Sequence, residues 1–171
     1  MRLVLLALVL AATTGCSVDD GTTTPTCTVA STDTCTGDTV CIGTTCQPAF
    51  PHAYAITQLS VTAPPLRPDG MPWNAGEDGS PNLFAEVSVA GAVVTTTSVN
   101  PMSYNATFAG PYTVMLDANV DLDIKASNND GTATQVVADC DVPMVSALVL
   151  RTHYILCSGT GTTLNYTIEP L

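Results

Sequence analysis

From His52 onward the apolar residues come in short runs, several of which repeat at every second position. Ala53 to Ala63 sets Ile56, Leu59 and Val61 among Thr, Gln and Ser in a loose alternation. Leu83-Phe84-Ala85-Glu86-Val87-Ser88-Val89 settles into period two at its end, and Val120-Asp121-Leu122-Asp123-Ile124 alternates strictly. Val93-Val94-Thr95-Thr96-Thr97 is β-branched throughout. Tyr104 to Phe108, Tyr112 to Leu116, Val136-Val137 with Val142, Tyr154 to Cys157 and Leu164 to Ile168 are further runs. Side chains on a strand alternate between faces, so period two marks a strand with one side buried. Turn signals fall between the runs: Ala90-Gly91, Asn100-Pro101, Gly110-Pro111, Asn128-Asn129-Asp130-Gly131 and Ser158-Gly159-Thr160-Gly161. About eight short strands at this spacing predict an antiparallel β-sandwich over residues 51–171. Met144 to Leu150 is apolar without a turn signal and reads as a short helix or a buried strand, which periodicity does not separate.

The first half-hundred residues lack that pattern. Arg2 precedes the apolar run Leu3 to Ala12, which is ten residues long. A bilayer-spanning helix needs about 20, so the run reads as an export signal. The following Thr13-Thr14-Gly15-Cys16-Ser17 resembles the bacterial lipoprotein processing site, with Thr13 where that family usually has Leu. The resemblance implies a signal peptide over 1–15 and a diacylglycerol on Cys16, which becomes the new N-terminus. Each buried CH₂ of an acyl chain would contribute about 0.8 kcal/mol to a membrane anchor. It implies a lipid-anchored protein of the bacterial cell envelope. Ser17, in place of a retaining Asp, points to the outer membrane, on its periplasmic or outer side. The competing reading is an ordinary secretory signal with Cys16 left as a spare thiol. Residues 16–26 hold Asp19, Asp20, Gly21, a Thr run and Pro25, with almost nothing to bury, and read as a flexible tether.

Cysteine arithmetic agrees with export. Seven is odd, but lipid on Cys16 leaves six: Cys27, Cys35, Cys41, Cys46, Cys140 and Cys157. The first four fall within residues 27–50, where Val29, Val40 and Ile42 are too few for a core, so cross-links must hold the segment. Three pairings are open there. Zinc is the competing reading, although no pair has the C-x₂-C spacing of common zinc knuckles. Cys140 and Cys157 flank the segment between two strands expected to be neighbours, and a disulfide is expected to close it.

Charge then narrows the partners. Fifteen acids stand against four basic residues, a formal charge of −11, while 46% of the chain is hydrophobic. That is enough apolar material for a core, which argues against wholesale disorder. A nucleic-acid binder working by phosphate neutralisation is excluded as well, and electrostatic docking on anionic lipid is disfavoured. Oligomeric state is not legible.

The order of segments is also similar to that of C2 domains. Pro81-Asn82-Leu83-Phe84-Ala85-Glu86-Val87 resembles the Asp-Pro-Tyr-Val strand start of that family. Val99-Asn100-Pro101 with Tyr104-Asn105-Ala106-Thr107-Phe108 resembles its Asn-Pro turn and aromatic-Asn-x-x-Phe run. Leu122 to Asp130 resembles its strand ending in an Asp-x-Asp loop, and Val136-Val137-Ala138 with Val142-Pro143-Met144 the segments that follow. The resemblance covers most of 51–171 and implies an eight-stranded sandwich that often binds Ca²⁺ and membranes. Carried over by position, the Ca²⁺ ligands would be Asp69, Asn82, Asn128, Asp130 and Gln135. Only two are acids, and carboxylate charge sets Ca²⁺ affinity, so at most a low-affinity site is expected. Glu77 and Asp78 lie with Asp69 in a long Pro/Gly/acid loop, Pro64 to Pro81, and would compensate; the bland alternative is a simple turn at Asn128 to Gly131. No cofactor is required.

Trp73, the lone tryptophan, stands in that loop. It would either offer an interaction tip for lipid, sugar or protein, or pin the loop onto the sandwich. Catalytic motifs are missing: no G-x-S-x-G, H-E-x-x-H or P-loop occurs, and His52 and His153 lack a motif partner. The leading expectation is therefore a lipid-anchored, non-catalytic envelope protein that presents its sandwich to a protein or envelope partner. The alternatives are a Ca²⁺-dependent lipid- or glycan-binding module and, last, an envelope hydrolase.

Overall fold

The computed structural model describes residues 27, 34–75, 78–159 and 161–171. The expected signal peptide, Cys16, the tether over 16–26 and Glu77 lie outside the described residues. A short hairpin, β1 (Thr39–Ile42) with β2 (Thr45–Pro48), precedes a two-layer sandwich. One layer holds β10 (Tyr154–Gly159), β11 (Thr162–Pro170) and β3 (His52–Thr62). Both β6 (Asn105–Thr107) and β7 (Tyr112–Leu116) pair along β3. The other layer runs β5 (Ala92–Thr96), β4 (Leu83–Val89), β8 (Leu122–Asn129), β9 (Thr134–Val142). Every pairing is antiparallel. The two pieces β6 and β7 form one edge of β3, so the sandwich has eight strand positions, four to a layer.

The core follows from the alternation. Leu83, Ala85 and Val87 of β4, Leu122, Ile124 and Ala126 of β8, and Leu164, Tyr166 and Ile168 of β11 all point inward and are buried. The looseness of β3 has a physical cause. Tyr54 and Ile56 face inward, then Leu59, Val61 and Ala63 do, with one extra residue between the two sets. The ladder to β11 skips there, and Gln58 takes φ +51° as the bulged residue. One inserted residue shifts the phase of a period-two pattern, and the bulge absorbs it so both halves keep their apolar face inside. Opposite the bulge, the edge strand breaks over residues 108–111. A Cβ on Gly110 would stand 2.9 Å from the Ile56 carbonyl oxygen, so only glycine fits that approach. The Ala90-Gly91 turn closes the β4–β5 hairpin with both residues at positive φ, as a two-residue turn of that twist requires.

The segment from Met144 resolves as a single helical turn, α1 (Ala147–Leu150), with Ala147 and Leu150 buried. The disulfides are Cys27–Cys41, Cys35–Cys46 and Cys140–Cys157. The first two interleave around the β1–β2 hairpin. The third joins β9 of one layer to β10 of the other and so closes one flank of the sandwich. The hairpin also packs on the sandwich. Val40 is fully buried within the sandwich core, Tyr54 Oη donates to the Ala49 carbonyl (2.8 Å), and Arg151 Nη1 donates to the Gly37 and Thr39 carbonyls (2.9 and 3.3 Å).

Candidate functional site

The chemistry-bearing residues picked from the sequence collect at one end of the sandwich. There the β3–β4 loop (residues 63–82) meets the β8–β9 turn (residues 130–133). The inward series Leu122, Ile124, Ala126 continues to Asn128, the last inward position before the chain turns, and Asn128 is wholly buried. A polar side chain in that place must have all its groups bonded. Its Nδ2 donates to the Trp73 carbonyl (3.2 Å) and to Asn74 Oδ1 (3.1 Å), and its Oδ1 accepts from the Asn82 backbone N–H (2.7 Å). Asn82 is engaged likewise: Nδ2 donates to the Asn129 carbonyl (3.2 Å), and Oδ1 accepts from the Met102 N–H (3.0 Å). Asn74 Nδ2 donates to the Ser80 carbonyl (2.7 Å). Three amides thus lash the loops at this end together.

The two carboxylates are bonded by groups of the loops themselves. Asp69 takes a two-pronged pair from Arg67 Nε and Nη2 and accepts from the Met71 N–H (3.1 Å). The Arg67 contact chiefly holds its carboxyl below the usual range. Asp130 accepts from the Ala133 N–H (2.6 Å), the Thr132 N–H (2.8 Å) and Thr132 Oγ1 (2.8 Å). Those donors, the Ala133 N–H first and the Arg67 charge last, hold its carboxyl down as well. Arg67, held above its ordinary value first by Asp69 and also by the Asp130 charge, is the cation this loop end supplies for itself.

The five expected ligands share an end of the molecule but not a single bowl. Asp69 and Gln135 line a cleft of about 310 Å³ with Arg67, Pro68, Trp73 and Val136. Asn82 and Asp130 line a second, of about 270 Å³, with Asn74, Ala75 and Thr132. Gln135 Nε2 reaches Asp130 Oδ2 (3.3 Å), while its Oε1 is buried without a partner. Of the two readings of Trp73, interaction tip or pin, the geometry fits the pin. Trp73 is 3% exposed and its indole N–H donates to the Pro64 carbonyl (2.8 Å), so it pins the loop because burying a large ring outweighs displaying it.

Sequence reasoning passed over Arg67 and Asn74. The signal for Arg67 was available: it is one of four basic residues and lies two positions from Asp69. Asn74 carried no signal, because its partners are 54 and 6 residues away. His52 Nε2 lies 2.8 Å from the Leu171 carbonyl oxygen, and His153 Nδ1 lies 3.1 Å from that of Ile168, so each is engaged with the backbone at the C-terminal end of the chain. Among the described residues, one group of three His, Cys, Asp or Glu side chains has ligand atoms close enough to share an ion: Cys27, Cys35 and Cys46. All three are in disulfides, so the zinc reading has no thiolates to draw on.

No family model matches the chain, and no curated protein does. Solved structures do. A C2 domain superimposes with a TM-score of 0.53 at 17% identity, over 70% of this chain and 97% of its own. The calcium-bound tandem C2 domains of Extended-Synaptotagmin 2 give 0.53 at 9% identity, over 70% of this chain. Human group IVD cytosolic phospholipase A2 gives 0.53 at 10% identity, also over 70%. The chain spans 45% and 17% of those last two proteins. At such identities the likeness speaks to fold: this is a nearly all-β chain with a C2-like sandwich.

Proposed function

We propose that the chain is an exported, lipid-anchored envelope protein whose C2-like sandwich serves a non-catalytic role, presenting a surface to a protein or envelope partner. The observation that carries this reading is the loop end itself. Where a C2-like fold offers room for a cation, the amides of Asn82 and Asn128 are committed to internal bonds and Asp69 and Asp130 are satisfied by Arg67 and backbone N–H groups. Groups tied up in this way hold loops in place and have little capacity left for chemistry. The Gly15-Cys16 pattern and the three disulfides support export and an oxidising location.

The test is the intact mass of the native protein before and after reduction. The expected species begins at Cys16, carries acyl chains, and takes up two hydrogens for each of three disulfides. A species that begins upstream without lipid, or that gains no hydrogens, overturns the reading. The Ca²⁺-dependent lipid- or glycan-binding alternative rests on two carboxylates, Asp69 and Asp130, that stand at the same end of the sandwich and whose charges both act on Arg67. An ion there must displace Arg67. A thermal melt in millimolar CaCl₂ that rises supports this alternative, and one that does not move leaves the first reading standing.

A further inference from the structure

Three sulfurs from two different disulfides lie together. The Sγ atoms of Cys27, Cys35 and Cys46 all fall within 4.8 Å of one another, although Cys27 is bonded to Cys41 and Cys35 to Cys46. Cys27, Cys35 and Cys41 are buried as a small core of their own. Cys46 packs against them and is the one residue of the four that stays partly open to water.

The β1–β2 ladder adds an independent observation. Its register sets Cys41 directly opposite Cys46. Cα atoms paired across an antiparallel ladder lie about 4.5–5.5 Å apart, inside the roughly 4.4–6.8 Å that a disulfide spans. The hairpin thus holds its own two cysteines at bridging distance, yet each is bonded to a residue upstream. It does not need those upstream bonds to stay in place. Val40 sits in the sandwich core, Arg151 holds the Gly37 and Thr39 carbonyls, and Tyr54 holds that of Ala49.

We propose that this module is a thiol-triggered switch between two disulfide pairings, the interleaved one and a local one, Cys27–Cys35 with Cys41–Cys46. Exchange proceeds when a thiolate attacks one sulfur of a disulfide and the other sulfur leaves as a thiolate. An incoming thiolate, on a small molecule or a protein, attacks Cys46, the accessible residue, and the bond to Cys35 breaks. The Cys35 thiolate attacks the nearby Cys27, forming Cys27–Cys35 and releasing Cys41. The Cys41 thiolate attacks Cys46 across the ladder, forming Cys41–Cys46 and returning the incoming thiolate. Two disulfides are present before and after, so nothing is oxidised or reduced overall and the thiol acts as a catalyst.

Opposing effects place the two pairings close in energy. Loop closure costs more for longer loops. The local pairs are 8 and 5 positions apart in sequence, against 14 and 11 for the interleaved ones. The interleaved pairing gains instead from its buried sulfurs and from the Cys27 N–H, which donates to the Thr44 carbonyl (2.9 Å). In the interleaved form both bonds clasp the upstream chain to the hairpin. In the local form neither does, so the switch loosens the link between the sandwich and whatever precedes Cys27.

Disulfide mapping by mass spectrometry tests this on the purified native chain, incubated without denaturant in substoichiometric reduced glutathione and quenched in acid. Cys27–Cys35 and Cys41–Cys46 are expected to appear together, in equal amounts, in at least about a tenth of the molecules, while Cys140–Cys157 is retained. A chain that keeps only the interleaved pairing overturns the proposal, and so does one that moves to Cys27–Cys46 with Cys35–Cys41. In the variant Cys27→Ser/Cys35→Ser, Cys41 and Cys46 are expected to bridge to each other and to resist iodoacetamide after unfolding in urea. A variant that has a folded circular-dichroism melt but is alkylated at both residues overturns the proposal as well. Where the variant does not fold, the native mapping decides.

Discussion

Replacing Asn128 by Ala deletes one acceptor and two donors inside the molecule, leaving the Asn82 N–H, the Trp73 carbonyl and Asn74 Oδ1 without their partner. Each buried group left unsatisfied costs about 1–3 kcal/mol, so the variant is expected to lose about 3 kcal/mol in a denaturant melt. Asn128→Asp keeps the acceptor and loses both donors. It is expected to be destabilised too, and recovery of its melting temperature in Ca²⁺ would show that an ion can enter this end. A second residue-scale effect sits on the outer face of β8. Asp123 is pushed up to about 6, first by desolvation and then by the hydrogen bond and charge of Asp139, while Lys125 opposes the rise. A carboxyl whose folded value lies above its unfolded one contributes stability that is fully present below about pH 4 and is lost as pH rises through about 6. Asp123→Asn is therefore expected to melt later than the parent at pH 8, by about 1 kcal/mol, and no later at pH 4. The modest figure reflects a side chain 26% open to water and held by Lys125. A gain that is equal at both pH values would refute the upward shift of the Asp123 carboxyl.

At the scale of elements, the Cys140–Cys157 bond and the β3 bulge have complementary roles. The bulge keeps Tyr54 and Ile56 on the same side as Leu59 and Val61; the disulfide holds the edges of the two layers together where no ladder can run between them. The bridged cysteines are 17 apart in sequence, for which the chain-entropy account gives a stabilisation of about 3 kcal/mol. Cys140→Ser/Cys157→Ser is expected to lose about that much in a urea melt, with amide exchange rising first in β10, an edge strand with one ladder partner. Unchanged exchange along β10 would mean that packing alone holds that flank. The individual strands were legible in the sequence because period two survives translation into structure directly. Their interruption between Thr107 and Tyr112 was also marked, by Gly110-Pro111. That both pieces run along the single strand β3 was not, since it follows from strand pairing between residues more than 40 apart.

At the scale of the molecule, the interleaved disulfide hairpin is docked through Val40 and Arg151 and shares the sandwich's core. Composition and alternation by themselves determined that this chain builds an antiparallel sandwich and that cysteines must brace its N-terminal segment, because both depend on short-range spacing and on how much apolar surface a segment can bury. The loop end was legible only as a set of residue types. Whether an Asn is a ligand or a brace depends on which backbone groups come within hydrogen-bond reach of it, and whether Trp73 is a tip or a pin depends on how the long loop folds back. Those distances and the choice among three cysteine pairings were decided by tertiary structure alone, since each joins groups that the chain holds far apart until the two layers close.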